Sequence, residues 1–232
     1  MNITFNFLIV ALISYLLGSV NFSIILSRAI QKKDIRNGGS GNAGATNMYR
    51  TYGKKFGLAT MIGDIIKVLI AILIARAIIG GELYAIFPAL IKYFAGFFCV
   101  MGHIFPLYFG FKGGKGVSTC AGMILFLDWR IFLIELAIFI IVVGISKMVS
   151  LGSCIMAVIY PILTLLFFQS TAGSYSVSTP LDFIIPYERL VVVLIALLFS
   201  IIVLIKHKEN IKRIFKGTEN KISFGKEKKP EK

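Results

Sequence analysis

The sequence predicts an all-α integral membrane protein with seven transmembrane helices, its N-terminus outside and its C-terminus in the cytoplasm. Three observations predict this class. Of the 232 residues, 57% are hydrophobic and only 16% are charged, whereas about a quarter of the residues in a soluble domain are charged. The apolar residues form long continuous runs, which must be helical in lipid because backbone groups have to pair within the segment. The Lys and Arg residues gather in alternate connections between these runs.

The apolar runs define the candidate spans and their order. The seven runs are 3–26, 57–79, 84–106, 116–127, 131–146, 151–169 and 189–206. The run at 116–127 is too short to cross a bilayer alone at about 1.5 Å per residue, so we expect a tilted or broken helix, or one that extends into its flanks. The opening run lacks the basic start and cleavage site of a signal peptide and is therefore a span. Residues 1–206 are thus predicted to form a single transmembrane helical domain.

The net charge of +14 is explained by where the positive residues lie. Lys and Arg number seven in 28–55, two in 107–115, one in 147–150 and ten from 206 onward. With seven spans these segments share one side of the membrane, which the positive-inside rule makes the cytoplasm, while 170–188 faces out. The basic tail at 207–232 is predicted to meet anionic lipid headgroups rather than nucleic acid, and its start to belong to the site.

The first unusual segment on the predicted cytoplasmic side is a glycine-rich loop, SGNAGATN, at 40–47. Gly39, Gly41 and Gly44 satisfy GxGxxG, but the loop follows a membrane helix and lies in no βαβ unit, which excludes a dinucleotide fold. Glycines expose consecutive backbone N–H groups and the small polar side chains add donors, so the loop is suited to a phosphate. Arg50 adds a planar fork for a phosphate or carboxylate. The alternative is a glycine-rich turn that closes a helical hairpin.

The second segment is FKGGKGV at 111–117, a lysine framed by glycines at a membrane boundary. It is not a Walker A loop, because the glycine spacing is wrong, but Lys115 is a natural point charge for an anion. His103, near the end of a span, is predicted to be a hydrogen-bonded structural histidine, with a catalytic role as the alternative. Asp64 and Lys67 lie at i and i+3 within the second span, where the prediction is a structural ion pair that positions the glycine-rich loop.

Two shorter segments complete the predicted cytoplasmic set. The turn SKMVSLGS at 146–153 contains Ser150, which is either a helix cap or a weaker site candidate. His207 and Asn210, also at i and i+3, share a helical face after the last span. An isolated HxxN motif is weak evidence, but its position on the same side as the two anion-binding segments strengthens it.

These segments, in this order, resemble the bacterial glycerol-3-phosphate acyltransferases that use acyl phosphate, the PlsY type. The matching residues are SGNxGATN from Ser40, Asp64-x-x-Lys67, GHxFP from Gly102, FKGGKGV from Phe111, VSLxS from Val149, and Asn210-Ile211-x-Arg213 with Gly217-Thr218-Glu219. The resemblance runs from about Gly18 to Ser223. It implies a seven-helix enzyme of the bacterial inner membrane whose active site faces the cytoplasm.

The resemblance also implies the reaction. A fatty acyl group would pass from acyl phosphate to the 1-hydroxyl of sn-glycerol 3-phosphate. The products would be 1-acylglycerol 3-phosphate (lysophosphatidate) and inorganic phosphate, at the first acylation of phospholipid synthesis. It implies no cofactor and no metal. The partners it implies are the two substrates, membrane lipid and an upstream enzyme that forms acyl phosphate.

The residues singled out above fit two phosphate-bearing substrates, one of which carries a lipid tail. The predicted substrate-binding residues are Ser40, Gly41, Asn42, Thr46, Arg50, Lys115, Ser150, His207 and Asn210, with Ser40, Lys115 and His207 as the predicted catalytic residues. Acyl phosphate is an activated donor, so orientation and charge neutralisation suffice for transfer. The base is His207 or a substrate phosphate oxygen. An acyl intermediate on Ser40 lacks an adjacent carboxylate–histidine pair to activate the hydroxyl.

Other classes fit the sequence less well. Phosphatidyl-alcohol transfer needs a metal held by clustered carboxylates, and the 11 Asp and Glu residues form no such cluster in the sequence. An organophosphate transporter would show internal repeats and half-helices near the midplane, whereas the polar motifs here gather at one leaflet. Three cysteines, all in or beside apolar runs and without a CxxC motif, exclude a disulfide scaffold and a zinc module.

Overall fold

The structure, a computed structural model, describes residues 3–167 and 185–222. Every α-helix and 3-10 turn within these ranges belongs to one helical bundle, and neither range contains a strand. The α-helices are α1 (Ile3–Ser19), α2 (Phe22–Gln31), α3 (Ala45–Tyr52), α4 (Lys54–Ile79), α5 (Gly81–Ile86), α6 (Pro88–Ile104), α7 (Val117–Leu127), α8 (Trp129–Ser146), α9 (Val149–Phe167), α10 (Ile185–Lys206) and α11 (Lys208–Phe215). The predicted all-α class is confirmed.

Six segments of the described chain are long and apolar enough to cross a membrane. They are Ile3–Gln31, Lys54–Ile79, Pro88–Phe109, Trp129–Ser146, Val149–Phe167 and Glu188–Lys206. The remaining predicted span, 116–127, corresponds to α7, whose 11 residues fall short of that length. Lys92, near the start of α6, donates to the carbonyl of Phe126 at 3.3 Å, so α7 nevertheless ends level with the first turns of α6. Most of 170–188, predicted to face out, lies outside the described residues.

The opening span, predicted as one helix over 3–26, is broken into α1 and α2. Asn21 accounts for the break. Its side-chain oxygen accepts a hydrogen bond from the N–H of Ile24 at 3.2 Å and so caps α2. Its amide nitrogen donates to the carbonyl of Ala43 at 3.4 Å, which ties the break to the glycine-rich loop.

Asp64, Lys67 and His103 form a buried polar cluster between α1, α4 and α6. The Lys67 Nζ is 2.9 Å from Asp64 Oδ1 and 2.9 Å from His103 Nδ1. It also donates at 3.2 Å to the carbonyls of Gly18 and Val20, where α1 ends. Charged groups within a bilayer are expensive unless they are paired in this way. The predicted ion pair is confirmed, and His103 is part of the same cluster.

The connections that carry the predicted site residues meet at one end of the bundle, as the positions of the Lys and Arg residues predicted. Arg36 donates to the carbonyls of Phe109 at 2.8 Å and Lys112 at 3.1 Å, which joins the first connection to the second. The N–H of Ile222 donates to the carbonyl of Lys147 at 2.8 Å, which joins the tail to the third. This end of the bundle therefore carries every segment that the sequence marked for chemistry.

Candidate active site

A groove with a volume of about 330 Å³ opens at this end between α3, α4, α7, α8, α9 and the start of α11. Its polar end is lined by eight of the nine predicted binding residues: Ser40, Asn42, Thr46, Arg50, Lys115, Ser150, His207 and Asn210. Its other end is apolar and is lined by Met61, Ile65, Phe132, Leu136, Phe139 and Met156. The two ends match a polar headgroup and a hydrocarbon chain.

Asn47 organises the glycine-rich loop. Its amide nitrogen donates to the carbonyls of Ile35, Gly38 and Asn42, and its oxygen accepts from the N–H of Ser40 at 2.9 Å. The side chain is buried, and these bonds fix the backbone on both sides of the turn. Asn47 belongs to the SGNAGATN motif but was not predicted as a site residue. Its role is visible only once the loop is folded around it.

Two glycines let the loop follow this path. Gly39 has φ +57°, and a Cβ there would lie 2.2 Å from Asn47 Oδ1. Gly41 has φ +71°, a backbone conformation that other residues rarely adopt. Gly41 is not among the residues that line the groove, and its predicted contact with substrate stays a prediction. It turns the backbone so that its neighbours Ser40 and Asn42 reach the wall.

The loop ends at Gly44, the N-terminal cap of α3. Ala45 and Thr46, in the first turn of α3, line the groove. The N–H groups and positive dipole of a helix N-terminus favour an anion at this position. The loop and α3 together therefore present backbone dipoles to the polar end of the groove.

Close packing against His103 explains the glycines that precede Lys115. The N–H groups of Gly113 and Gly114 donate to the carbonyls of Ile104 at 3.2 Å and His103 at 3.1 Å. A Cβ on Gly113 would lie 2.0 Å from the His103 carbonyl oxygen, and one on Gly114 would lie 2.1 Å from His103 Nε2. Only glycine fits at either position. The Asp64–Lys67–His103 cluster thereby supports the backbone that presents Lys115.

Lys115 lies in the polar wall and donates a short hydrogen bond to the Asn210 side-chain oxygen. Burial lowers its pKa to about 8, and the nearby Arg213 and Arg50 contribute, against the attraction of Glu219. The ammonium group remains mostly charged at pH 7. An anion in the groove would raise this pKa again, because it favours the charged form.

Glu219 is a site residue that was not predicted as one from the sequence. One carboxylate oxygen accepts from Ser150 at 2.9 Å and from Asn210 at 2.8 Å, and the other accepts from Arg213 at 2.8 Å. Burial raises the pKa of Glu219, but the hydrogen bonds from Asn210, Ser150 and Arg213 outweigh it, so the pKa lies below its ordinary value. Ser150, predicted as a weaker binding residue, donates a hydrogen bond from its hydroxyl to this carboxylate.

Arg50 reaches the groove from α3. Its Nη2 donates to the carbonyl of Asn220 at 2.9 Å, while its buried Nε has no hydrogen-bond partner within the described chain. Burial lowers its pKa, with Glu219 and Arg213 acting in opposite senses, and an arginine stays charged regardless. The Nε–H of the guanidinium is therefore unpaired within the described chain, and the charge faces the groove.

His207, between α10 and α11, is buried against the polar wall. Its Nδ1 lies 2.8 Å from the carbonyl of Val203, so Nδ1 carries the proton and Nε2 offers a lone pair. Burial lowers its pKa to about 4, and the charge of Lys115 adds to the effect. The ring is neutral at pH 7.

The groove thus combines two cations, Arg50 and Lys115, with a neutral histidine and a helix N-terminus at the mouth of a hydrocarbon-lined cleft. Within residues 3–167 and 185–222 no group of three or more His, Cys, Asp or Glu could hold a metal ion. Fold and site together define a class, the integral membrane proteins that handle phosphate-bearing lipid precursors.

Comparison with known proteins narrows this class to a family. The profile described as "Glycerol-3-phosphate acyltransferase" matches residues 8–217. A glycerol-3-phosphate acyltransferase of Clostridioides difficile is 39% identical over 223 residues, covering 96% of this chain and 98% of the relative. One of Finegoldia magna is 40% identical over 218 residues, covering 93% and 96%.

Solved structures agree with the sequence relatives. The crystal structure of PlsY, an integral membrane glycerol 3-phosphate acyltransferase, in its glycerol 3-phosphate form superposes with a TM-score of 0.75 at 28% identity. The match covers 94% of this chain and 96% of PlsY. The lysophosphatidic acid form gives a TM-score of 0.70. The chain belongs to the glycerol-3-phosphate acyltransferase family of the PlsY type, and the predicted resemblance is confirmed. It is a membrane enzyme of phospholipid biosynthesis.

Proposed function

We propose that this enzyme transfers a fatty acyl group from acyl phosphate to the 1-hydroxyl of sn-glycerol 3-phosphate, releasing lysophosphatidate and inorganic phosphate. The observation that carries the proposal is the single groove in which Lys115, Arg50 and His207 face an apolar cleft. Both substrates bring a phosphate to the polar end, and only one brings a chain for the cleft. The PlsY structures with glycerol 3-phosphate and lysophosphatidic acid support the acceptor and the product.

Lys115 and Arg50 neutralise the two phosphates in this proposal. Lys115 gives a point charge, and Arg50 gives a directed N–H that has no partner within the described chain. The loop from Ser40 to Asn42 and the start of α3 donate hydrogen bonds to phosphate oxygens and to the oxygen that gains charge on the attacked carbonyl. Asn210 holds Lys115 in place while Glu219 holds Asn210.

The transfer itself needs one bond made and one broken. The 1-hydroxyl oxygen attacks the acyl carbonyl carbon, the carbon–oxygen bond to phosphate breaks, and phosphate leaves with the electron pair. The hydroxyl proton passes to His207 Nε2 or to a substrate phosphate oxygen. The neutral His207 has its Nδ1 hydrogen-bonded to the carbonyl of Val203. It therefore presents Nε2 as an acceptor that orients this hydroxyl. An acyl-serine is not part of this proposal, because no hydrogen bond from the Ser40 hydroxyl to a base is seen within the described residues.

The membrane arrangement is proposed from charge and geometry together. The groove end carries the Lys- and Arg-rich connections, so the positive-inside rule assigns it to the cytoplasm and the N-terminus to the outside. Helix α7 ends level with the start of α6, which supports seven crossings with one short helix. In a bacterium the host membrane is the inner membrane, where an acyl-phosphate-forming enzyme supplies the donor. The basic residues of the tail remain predicted to meet anionic headgroups.

The donor is tested with purified enzyme in detergent, which also separates catalysis from transport across a sealed bilayer. Palmitoyl phosphate, palmitoyl-coenzyme A and palmitoyl-acyl carrier protein are each offered at equal concentration with labelled glycerol 3-phosphate. We expect labelled lysophosphatidate with palmitoyl phosphate alone. Product formed at a similar rate from either thioester would overturn the assignment of the donor.

A further inference from the structure

A small chamber lies beside the inner part of the groove, deep among the helices. It has a volume of about 40 Å³ and is enclosed by α7, α8, α9 and α10. Its wall is mostly apolar, with contributions from Ile124, Ala157 and Phe199. Glu135 of α8 also lines it, although its side chain is only 1% exposed. Its Oε1 is buried and has no hydrogen-bond partner in the part of the chain that the structure describes.

The chamber adjoins the acyl-binding half of the groove. Val117, Ala121, Ser153 and Met156 line both spaces. Glu135 also follows the groove wall, since Phe132, Leu136 and Phe139 occupy the same face of α8. Along α8, Glu135 lies about three turns, or roughly 16 Å, from the end at Ser146 beside the polar site. A long acyl chain that starts at the polar end and follows α8 therefore points toward this chamber.

We propose that the chamber receives the far end of the acyl chain and that the Glu135 carboxyl sets the longest chain the enzyme transfers efficiently. This inference rests on the proposed function, because it needs an acyl donor in the groove. An intramembrane carboxyl without a partner is costly, so its presence here favours a functional role over a packing role.

The limit has a simple physical origin. Each methylene that enters apolar surroundings favours binding by about 0.8 kcal/mol, so affinity rises with length while the chain stays in the apolar cleft. At the chamber the wall instead presents the buried Glu135 carboxyl, whose Oε1 has no hydrogen-bond partner in the described chain, and a methyl against a polar group gains less than one against apolar surface. The free energy gained from each further methylene therefore falls once the terminal methyl reaches Glu135.

The test is a chain-length profile of kcat/KM for lauroyl, myristoyl, palmitoyl, stearoyl and arachidoyl phosphate. We expect the wild type to fall sharply beyond its preferred length. Glu135→Leu, which is of similar size and apolar, should raise kcat/KM for the chains beyond that length by about tenfold and leave the shorter ones unchanged. Glu135→Gln keeps a polar group and should retain the wild-type limit. An unaltered profile in Glu135→Leu would overturn the proposal.

A second variant tests the chamber without altering the carboxyl. Ala121 lines both the chamber and the groove, and Ala121→Leu fills space between them. We expect this variant to shorten the longest accepted chain, and full retention of long-chain activity would contradict the inference even if Glu135→Leu fails to fold. Ile141→Ala, on the exposed face of α8, is the matched control and should leave the profile unchanged. If the wild type transfers no acyl group from any acyl phosphate, the proposed function fails instead.

Discussion

At the scale of single residues, the site depends on charges held in a partly buried wall. Lys115 has its pKa lowered to about 8 by burial, and His207 has its pKa lowered to about 4 for the same reason, with Lys115 adding to it. At pH 7 the first is mostly charged and the second is neutral. Lys115 is therefore suited to phosphate binding, and His207 to accepting a hydrogen bond.

Loss of the Lys115 charge is predicted to be severe. A charge-assisted contact that is made in both the ground and transition states contributes ~2–4 kcal/mol, so Lys115→Ala should lower kcat/KM by about 30- to 1000-fold. Lys112→Ala, on the exposed part of the same loop, is the matched control. Near-normal activity in Lys115→Ala would show that this lysine only anchors the loop at the membrane boundary.

The same pKa predicts an alkaline limit to substrate binding. Above about pH 8 the free enzyme loses the Lys115 proton, and with it the charge that attracts phosphate. The KM for glycerol 3-phosphate should therefore rise as the pH passes from about 7 to 9. In Lys115→Arg this rise should disappear, because arginine keeps its proton. A KM that stays constant in the wild type would contradict the assigned contact.

The variant His207→Gln tests whether His207 binds the substrate or acts as the base. A glutamine oxygen can still accept a hydrogen bond from the substrate hydroxyl, so we expect a larger change in KM than in kcat. In the variant, the fall of kcat/KM on the acidic side should stay near pH 6, where the substrate phosphate takes up a proton. It should not be set near pH 4, where His207 of the wild type takes one up. If kcat collapses at unchanged KM, His207 is the base.

At the scale of elements, the start of the tail is held onto the bundle by Glu219. The carboxylate joins α11 through Asn210 and Arg213 to α9 through Ser150. The segment from His207 to Ile222 is thereby part of the groove wall, not a free extension. The second binding residue on this segment, Asn210, depends on Glu219 for its orientation.

Removal of this carboxylate is predicted to release the segment. Glu219→Ala leaves Asn210, Ser150 and Arg213 without their shared acceptor, so we expect kcat/KM to fall by about tenfold or more and trypsin to cleave faster after Arg213. Glu209→Ala on the exposed side of α11 is the control, since its pair with Lys212 is solvent-exposed. Unchanged activity and unchanged cleavage would show that the tail is held by other contacts.

The elements also show what could be predicted from sequence. The positions of the helices could be predicted closely from the long apolar runs, because in lipid the backbone has to pair its polar groups within the segment. The break at Asn21 and the loop bonds of Asn47 were not predicted, since one polar residue in an apolar or glycine-rich run does not reveal its distant partner. Glu219 was likewise ambiguous, because its contact with Ser150 crosses 69 positions of the chain. Gly41 was predicted as a binding residue from its motif, and its φ adds a turning role.

At the scale of the whole molecule, charge and geometry place one functional end on one side of the membrane. In a variant without Cys99, Cys120 and Cys154, single cysteines at positions 45 and 175 report the two sides. An impermeant thiol reagent added to intact cells should label Tyr175→Cys and not Ala45→Cys. The reverse pattern would overturn the proposed orientation, and with it access of the site to cytoplasmic substrate.

The central claim is that one groove couples acyl transfer to phosphate release. The most direct measurement counts both products in one sample of purified enzyme, palmitoyl phosphate and glycerol 3-phosphate. We expect equal amounts of 1-acylglycerol 3-phosphate and inorganic phosphate, and no phosphate release when glycerol 3-phosphate is left out. Phosphate released without lysophosphatidate, or lysophosphatidate formed without phosphate, would contradict it.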